Sequence, residues 1–301
     1  MGASTFLEGF EVFKARLPGI EINFASAGSG PPLLLLHGHP QTHIVWRKVA
    51  PLFVAAGYRV IAPDLRGYGD SEAPPSDPSH LPYSKRVMAQ DQIALMAHLG
   101  HTSFSVVGHD RGGRVAHRLA LDFPDTVKHL ILLDIAPTRT MYAQTNQEFA
   151  TRYFWWFFLI QPGGFPEKMI GSDPEYFLRR HIAGQVKVEG SVCEDAIAEY
   201  LRCYQRPATL HAICEDYRAS ASIDLDHDEA DQDSRVQAPV LAIWGEHSVV
   251  GDLYDVKATW QEKGTRVSGQ SLPCGHAIPE EAPEDLAELV LQFLTADHAP
   301  R

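Results

Sequence analysis

The stretch Phe104-Ser105-Val106-Val107-Gly108-His109-Asp110-Arg111-Gly112-Gly113-Arg114 decides the fold. It opens as an apolar strand, bends through glycines, and runs into a helix whose Val115, Leu119 and Phe123 share a face before Pro124. Gly108 and Gly112 flank Asp110 in the layout Gly-x-Ser-x-Gly, with Asp in the place of Ser, so a sharp strand-to-helix turn would push one reactive side chain outward. Working outward, the runs 33–36, 58–62, 130–133 and 240–244 are continuously apolar or nearly so, as strands buried on both faces of a parallel sheet are. Helical patterns lie between them: Met88, Leu95 and Leu99 share a face and stop at Gly100. Pro283, Glu284 and Asp285 open a helix carrying Leu286, Leu289, Val290, Phe293 and Leu294. The expectation is a doubly wound α/β fold with a mostly parallel sheet.

The alternation lapses after residue 138 and resumes with the strand at 240. The gap holds two adjacent tryptophans, a QPGGFPE turn and helix-like segments, which predicts an inserted helical cap over 139–222 on a core of 1–138 and 223–301. The acidic segment Asp224, Asp226, Asp228, Glu229, Asp231, Asp233 begins like a calcium loop. It has Glu229 where the turn needs Gly and Arg235 where a bidentate Glu should sit, so it is read as a solvated linker.

With 301 residues, 45% of them hydrophobic and 21% charged, the chain can bury a large core, which excludes a disordered or fibrous architecture. Twenty-six Lys and Arg against 38 Asp and Glu give a net charge of −12, which supports neither a nucleic-acid partner nor a membrane surface. An anionic substrate then needs a local cationic pocket. The four cysteines, Cys193, Cys203, Cys214 and Cys274, form no CxxC pair and are read as reduced thiols. The N-terminus lacks a basic stretch followed by an apolar run, so the expected location is cytoplasmic. A homodimer stays open at the base rate for soluble enzymes.

Aspartate at the turn selects a chemistry. A serine that displaced a leaving group from saturated carbon would become an ether that water cannot release, whereas a carboxylate becomes an ester that water can cleave. Helix capping is the plain structural alternative for Asp110. His276, in Leu272-Pro-Cys-Gly-His, lies between the last strand region and the C-terminal helix, where a base would follow in chain order. Asp134, after the run 130–133, can orient that histidine, with Glu246 and Asp252 as the other candidate acids. An oxyanion hole would take the backbone N–H groups of Arg111 and His39. Arg111 and Arg114, three apart at the start of the helix, are neighbours that suit a carboxylate, with Arg118 read as an exposed helix arginine.

The sequence resembles the haloacetate dehalogenases, fluoroacetate dehalogenases among them, of the α/β-hydrolase superfamily. The matching residues span almost the whole chain: His37-Gly-His-Pro-Gln-Thr, Asp64-Leu-Arg-Gly-Tyr-Gly-Asp-Ser, Gly108-His-Asp-Arg-Gly-Gly-Arg, Trp155-Trp-Phe-Phe, Asp216-Tyr-Arg-Ala and Gly275-His. The resemblance implies hydrolysis of a small anionic haloacid by water to glycolate and halide, without cofactor or metal. In it Asp110 attacks the α-carbon, Arg111 and Arg114 hold the carboxylate, and His276 activates water. It also implies a halide pocket of lid donors, to which Trp155, Trp156 and Tyr217 correspond. Trp155 stands where the family has a His, and His39 where an aromatic hydrocarbon is usual. An indole is a bulkier, non-titratable donor, which favours chloride and bromide over fluoride as leaving groups.

Three other readings compete. An epoxide hydrolase would share Asp110 and His276 and use two lid tyrosines, Tyr217 with Tyr153 or Tyr142. A metallohydrolase would use His37, His39 and His43. A non-catalytic receptor could occupy the same fold.

Overall fold

The structure, a computed structural model, describes residues 2–3 and 6–296. Nine strands form one sheet: β1 (Gly2–Ala3), β2 (Glu11–Leu17), β3 (Ile20–Ala27), β4 (Pro32–Leu36), β5 (Arg59–Pro63), β6 (Phe104–His109), β7 (Val127–Leu133), β8 (Val240–Gly245) and β9 (Val267–Leu272). Their order is β1-β2-β3-β5-β4-β6-β7-β8-β9. β1, β2, β3 and β5 pair antiparallel, and every pairing from β5 through β4 to β9 is parallel. β4 lies between β5 and β6, so the chain reverses its direction of travel across the sheet there. Crevices for ligands open at such a point, beyond the carboxyl ends of the strands.

All five apolar runs of the sequence are strands of this sheet. Leu33, Leu34, Leu35 and Leu36 are fully buried and all six residues of β6 are buried, because helices cover both faces. Helices Lys85–His98 and Arg111–Asp122 pack on each other, and Ala50–Ala55 packs on Pro283–Ala296. Between β7 and β8 lie eight helices and no strand, from Thr138–Ala143 to Ile223–Ala230. They form the helical cap, expected over 139–222 with the core resuming at 223; the run of helices instead starts at Thr138 and continues to Ala230.

Two further expectations need correction. The acidic segment is not a solvated linker, because it contains the last cap helix, Ile223–Ala230. Asp224 is buried and accepts the Lys85 backbone N–H at 2.8 Å. Asp231 pairs with Arg86 at 2.7 Å and with Arg118 at 2.8 Å. Arg118 is likewise buried rather than exposed, held between Asp122 and Asp231. Charges seven apart lie on one helical face, and cations of the core meet that face here. The four cysteines are free thiols. Among the described residues, no helix is long and apolar enough to cross a membrane.

Candidate active site

The site lies beyond the carboxyl ends of β4, β6, β7 and β9, under the cap. Asp110 joins β6 to helix Arg111–Asp122 with φ 45° and ψ −112°, a conformation that non-glycine residues rarely adopt. Such a residue costs about 1–3 kcal/mol, so the surrounding structure must impose it. The flanking glycines let it do so. A Cβ on Gly112 would lie 2.3 Å from the Leu36 carbonyl oxygen, and one on Gly108 would lie 2.6 Å from that of Gly112. The side chain of Asp110 does not cap its helix, which removes the structural alternative for this residue.

Asp110 Oδ2 accepts the His39 backbone N–H at 3.0 Å. The Arg111 N–H opens the helix, where no intrahelical partner exists. Burial pushes the Asp110 carboxyl up, but the charges of His276, Arg111 and Arg114 outweigh it and hold the group at about 2. It is therefore a carboxylate at neutral pH, and among the described residues only Oδ2 of the two oxygens accepts a hydrogen bond.

His276 and Asp134 meet as expected, with Nδ1 2.6 Å from Oδ2. Asp134 Oδ1 accepts the Gly245 N–H at 2.9 Å and the Ser248 hydroxyl at 2.6 Å, so both its oxygens are occupied. The alternative acids lie elsewhere: Glu246 is exposed, and Asp252 is exposed and pairs with Arg152 at 2.6 Å. Burial lowers the His276 imidazole, yet the hydrogen bond and charge of Asp134, followed by the charge of Asp110, raise it above its ordinary value. Among the described residues, the ring nitrogen not bonded to Asp134 has no partner, which leaves it available to a water or substrate.

The two arginines stand side by side but in different electrostatic settings. Arg111 is enclosed: Nε and Nη2 grip Asp216 at 2.9 and 2.8 Å, and Nη2 also donates to the Asp216 carbonyl and Ser220 Oγ. Lys85 and Tyr68 hold the same carboxylate. Arg114 has no ion-pair partner among the described residues. Its guanidinium donates to Thr138 Oγ1 at 2.8 Å, to the Ala136 carbonyl at 3.2 Å and to Met141 Sδ at 3.2 Å. One nitrogen of each remains without a hydrogen-bond partner in the interior, Nη1 of Arg111 and Nε of Arg114. Burial, together with the charge of Arg111, pulls Arg114 below the usual arginine value.

The cap supplies aromatic walls. The Tyr217 ring lies 4.2 Å from the Arg111 Cζ and the Trp156 ring 4.7 Å from that of Arg114. Trp155 packs edge-on against His181 at 4.5 Å, and His181 in turn against His39 at 4.8 Å. Among the described residues, the indole N–H groups of Trp155 and Trp156 and the Tyr217 hydroxyl find no hydrogen-bond partner. The Tyr153 ring is tilted against Trp155 at 4.7 Å, and burial with the charges of Asp134 and Asp110 pushes its hydroxyl up. Tyr142 lies on the arginine side, with its hydroxyl buried and unpartnered.

The sequence reading missed His181 and Gln185. Both lie on the buried face of helix Pro174–Gln185 with Leu178 and Ile182, and polar residues on an otherwise apolar face were the available signal. The three histidines of the metal reading diverge. His37 uses both ring nitrogens on Gly38 O and Leu65 N, and His43 binds Asp64. Among the described residues no group of His, Cys, Asp and Glu is arranged to hold a metal ion.

A carboxylate on a strained turn, a paired His and acid, and a helical cap define a class. Residues 31–283 match the α/β-hydrolase fold family, and the chain belongs to it. Within that family it is fluoroacetate dehalogenase-like. It is 41% identical over 289 residues to a fluoroacetate dehalogenase of a Burkholderia species, covering 96% of this chain and 95% of that one. It is also 35% identical over 286 residues to a soluble epoxide hydrolase of a Corynebacterium species, covering 93% and 96%. A crystal structure from Salmonella enterica, assigned there as a candidate acyltransferase, superposes with a TM-score of 0.97 at 57% identity over 98% of both chains. The protein is a hydrolase with dehalogenase and epoxide hydrolase relatives.

Proposed function

We propose that the protein hydrolyses 2-haloacetates to glycolate and halide through an ester on Asp110. The observation that carries this reading is Arg114: a buried guanidinium with only neutral partners and one unused N–H, next to the carboxylate at the turn. An unpaired buried cation costs several kcal/mol, and an arriving carboxylate would offset that cost while pairing bidentately. In a chain of net charge −12, this is the local positive pocket that an anionic substrate needs.

Asp110 Oδ1 attacks the α-carbon, and the carbon–halogen bond breaks with its electron pair leaving on the halide. The N–H donors of Trp155 and Trp156 and the hydroxyl of Tyr217 suit that departing charge. His276, oriented by Asp134, takes a proton from water, and the resulting hydroxide adds to the Asp110 carbonyl carbon. The tetrahedral oxygen faces the His39 and Arg111 N–H groups. Collapse releases glycolate, whose oxygen receives the proton from His276.

Epoxide hydrolysis is a second reading, favoured by one observation: Tyr153 and Tyr217 are both buried in the cap, and among the described residues neither hydroxyl has a hydrogen-bond partner, as in a pair that polarises an epoxide. It leaves Arg114 without a purpose. The test is chloride release from chloroacetate against diol formation from a neutral epoxide. Chloride release that is lost in Asp110→Asn supports the haloacetate reading, and diol formation without chloride release overturns it.

A further inference from the structure

A small cavity of about 10 Å³ lies behind the site, lined by His39, Gln41, Gln185, His276 and Glu280 among others. That is about the space one water molecule requires, provided polar groups line it. They do, and several lack partners. Gln41 Oε1 and both ring nitrogens of His39 are buried with no hydrogen bond, although Gln41 is only 5% exposed and His39 only 1%. Burial drops the His39 imidazole to about 3, so it is neutral and offers one donor and one acceptor. Gln185 and Glu280 are already engaged: the Gln185 carbonyl accepts the His276 N–H at 3.1 Å, and Glu280 holds Arg47 and Tyr200. A buried acceptor without a partner costs about as much as a lost hydrogen bond, and a single water would satisfy it.

We propose that the water that cleaves the Asp110 ester is held in this cavity, between the Gln41 carboxamide, the His39 ring and His276. Gln41 is a positioning residue for it. One water hydrogen points to Gln41 Oε1 and the other to His276, which leaves an oxygen lone pair for the Asp110 carbonyl carbon. His276 takes the second hydrogen as a proton, the O–H electron pair forms the new C–O bond, and collapse expels the hydroxyacid oxygen. His39 ties the two half-reactions together, because its backbone N–H holds Asp110 Oδ2 while its ring faces the water. The inference rests on the ester mechanism proposed above but not on the identity of the electrophile, since an epoxide-derived ester would need the same water.

The test separates the two half-reactions. In Gln41→Met the acceptor is lost at nearly constant volume, and in Gln41→Asn it withdraws by one methylene. Each is mixed with chloroacetate, halide is followed through the first turnover, and the peptide containing residue 110 is weighed at steady state. The expected result is a first-turnover halide release at the wild-type rate, a steady rate roughly 10-fold lower for the Met variant, as loss of one hydrogen bond implies, and a larger share of chains carrying the ester. The Asn variant should fall between. Equal slowing of both phases with no added ester overturns the water site. A wild type that never carries an ester overturns instead the mechanism beneath it.

Discussion

The core wall and the cap wall of the site differ in how completely their polar atoms are satisfied. On the core side Asp134 has every oxygen bonded, Asp110 Oδ2 is held by a backbone N–H, and Arg111 is locked onto Asp216. On the cap side the indoles of Trp155 and Trp156, the Tyr217 hydroxyl and Nδ1 of His181 have no hydrogen-bond partner among the described residues. The core wall is thus assembled before anything binds, whereas the cap wall is completed by its ligand. In the function proposed above, reactivity resides in the first and choice of substrate in the second. Arg114 belongs to the cap side in this sense, although it grows from the core helix beside Arg111.

The largest effect should come from breaking the core wall. Asp134→Asn leaves His276 without the anion that orients it and supports its charge, and turnover of chloroacetate should fall by about 10³–10⁴-fold. Halide release in the first turnover should survive, because His276 acts only on the ester. Rapid-quench measurement checks this, and loss of that first release would place His276 in the alkylation step instead.

The two arginines sharpen the contrast. Arg111→Met leaves Asp216 buried with Lys85 and Tyr68 as its remaining partners, which should cost up to about 3–5 kcal/mol of stability and lower Tm by several degrees. Arg114→Met removes a cation that has no counter-ion, so Tm should hold or rise. KM for chloroacetate should climb about 10- to 100-fold, as loss of charged hydrogen bonds implies. Thermal denaturation of both variants decides the matter; equal destabilisation would show that Arg114 is as structural as Arg111.

A smaller effect separates the steps by pH. Asp110 is held at about 2, so first-turnover halide release should stay level across the neutral range. Ester cleavage needs neutral His276, whose value lies above the ordinary 6.5. Turnover should therefore be full above that value and be lost as pH falls through it. Esterification removes the Asp110 charge, but the hydrogen bond and charge of Asp134, the larger of the causes that raise His276, persist. Parallel acid limbs for both steps would contradict the assignment.

What was legible in the sequence follows the same division. β4 to β8 were readable because burial on both faces leaves an unbroken apolar run, as in Leu33 to Leu36. The hairpin of β2 and β3 was not, since only Ala15 of β2 is buried and its residues carry no such run. Asp110, Asp134 and His276 were readable because chain order and a glycine-flanked turn constrain them locally. The partners that set their properties were not. Lys85, Tyr68 and Ser220 converge on Arg111 and Asp216 from three distant segments, and only tertiary packing brings them together. His181 was hidden for the same reason, and Asp224 was misread because its cation, the Lys85 ammonium, lies more than a hundred residues away.

The claim that Asp110 carries the organic fragment is tested most directly by one turnover in heavy-oxygen water, with mass spectrometry of the peptide containing residue 110. The account predicts heavy oxygen in the Asp110 carboxylate and none in the first glycolate released. Label in that glycolate, with an unlabelled Asp110, would mean that water attacks the carbon directly and would contradict it.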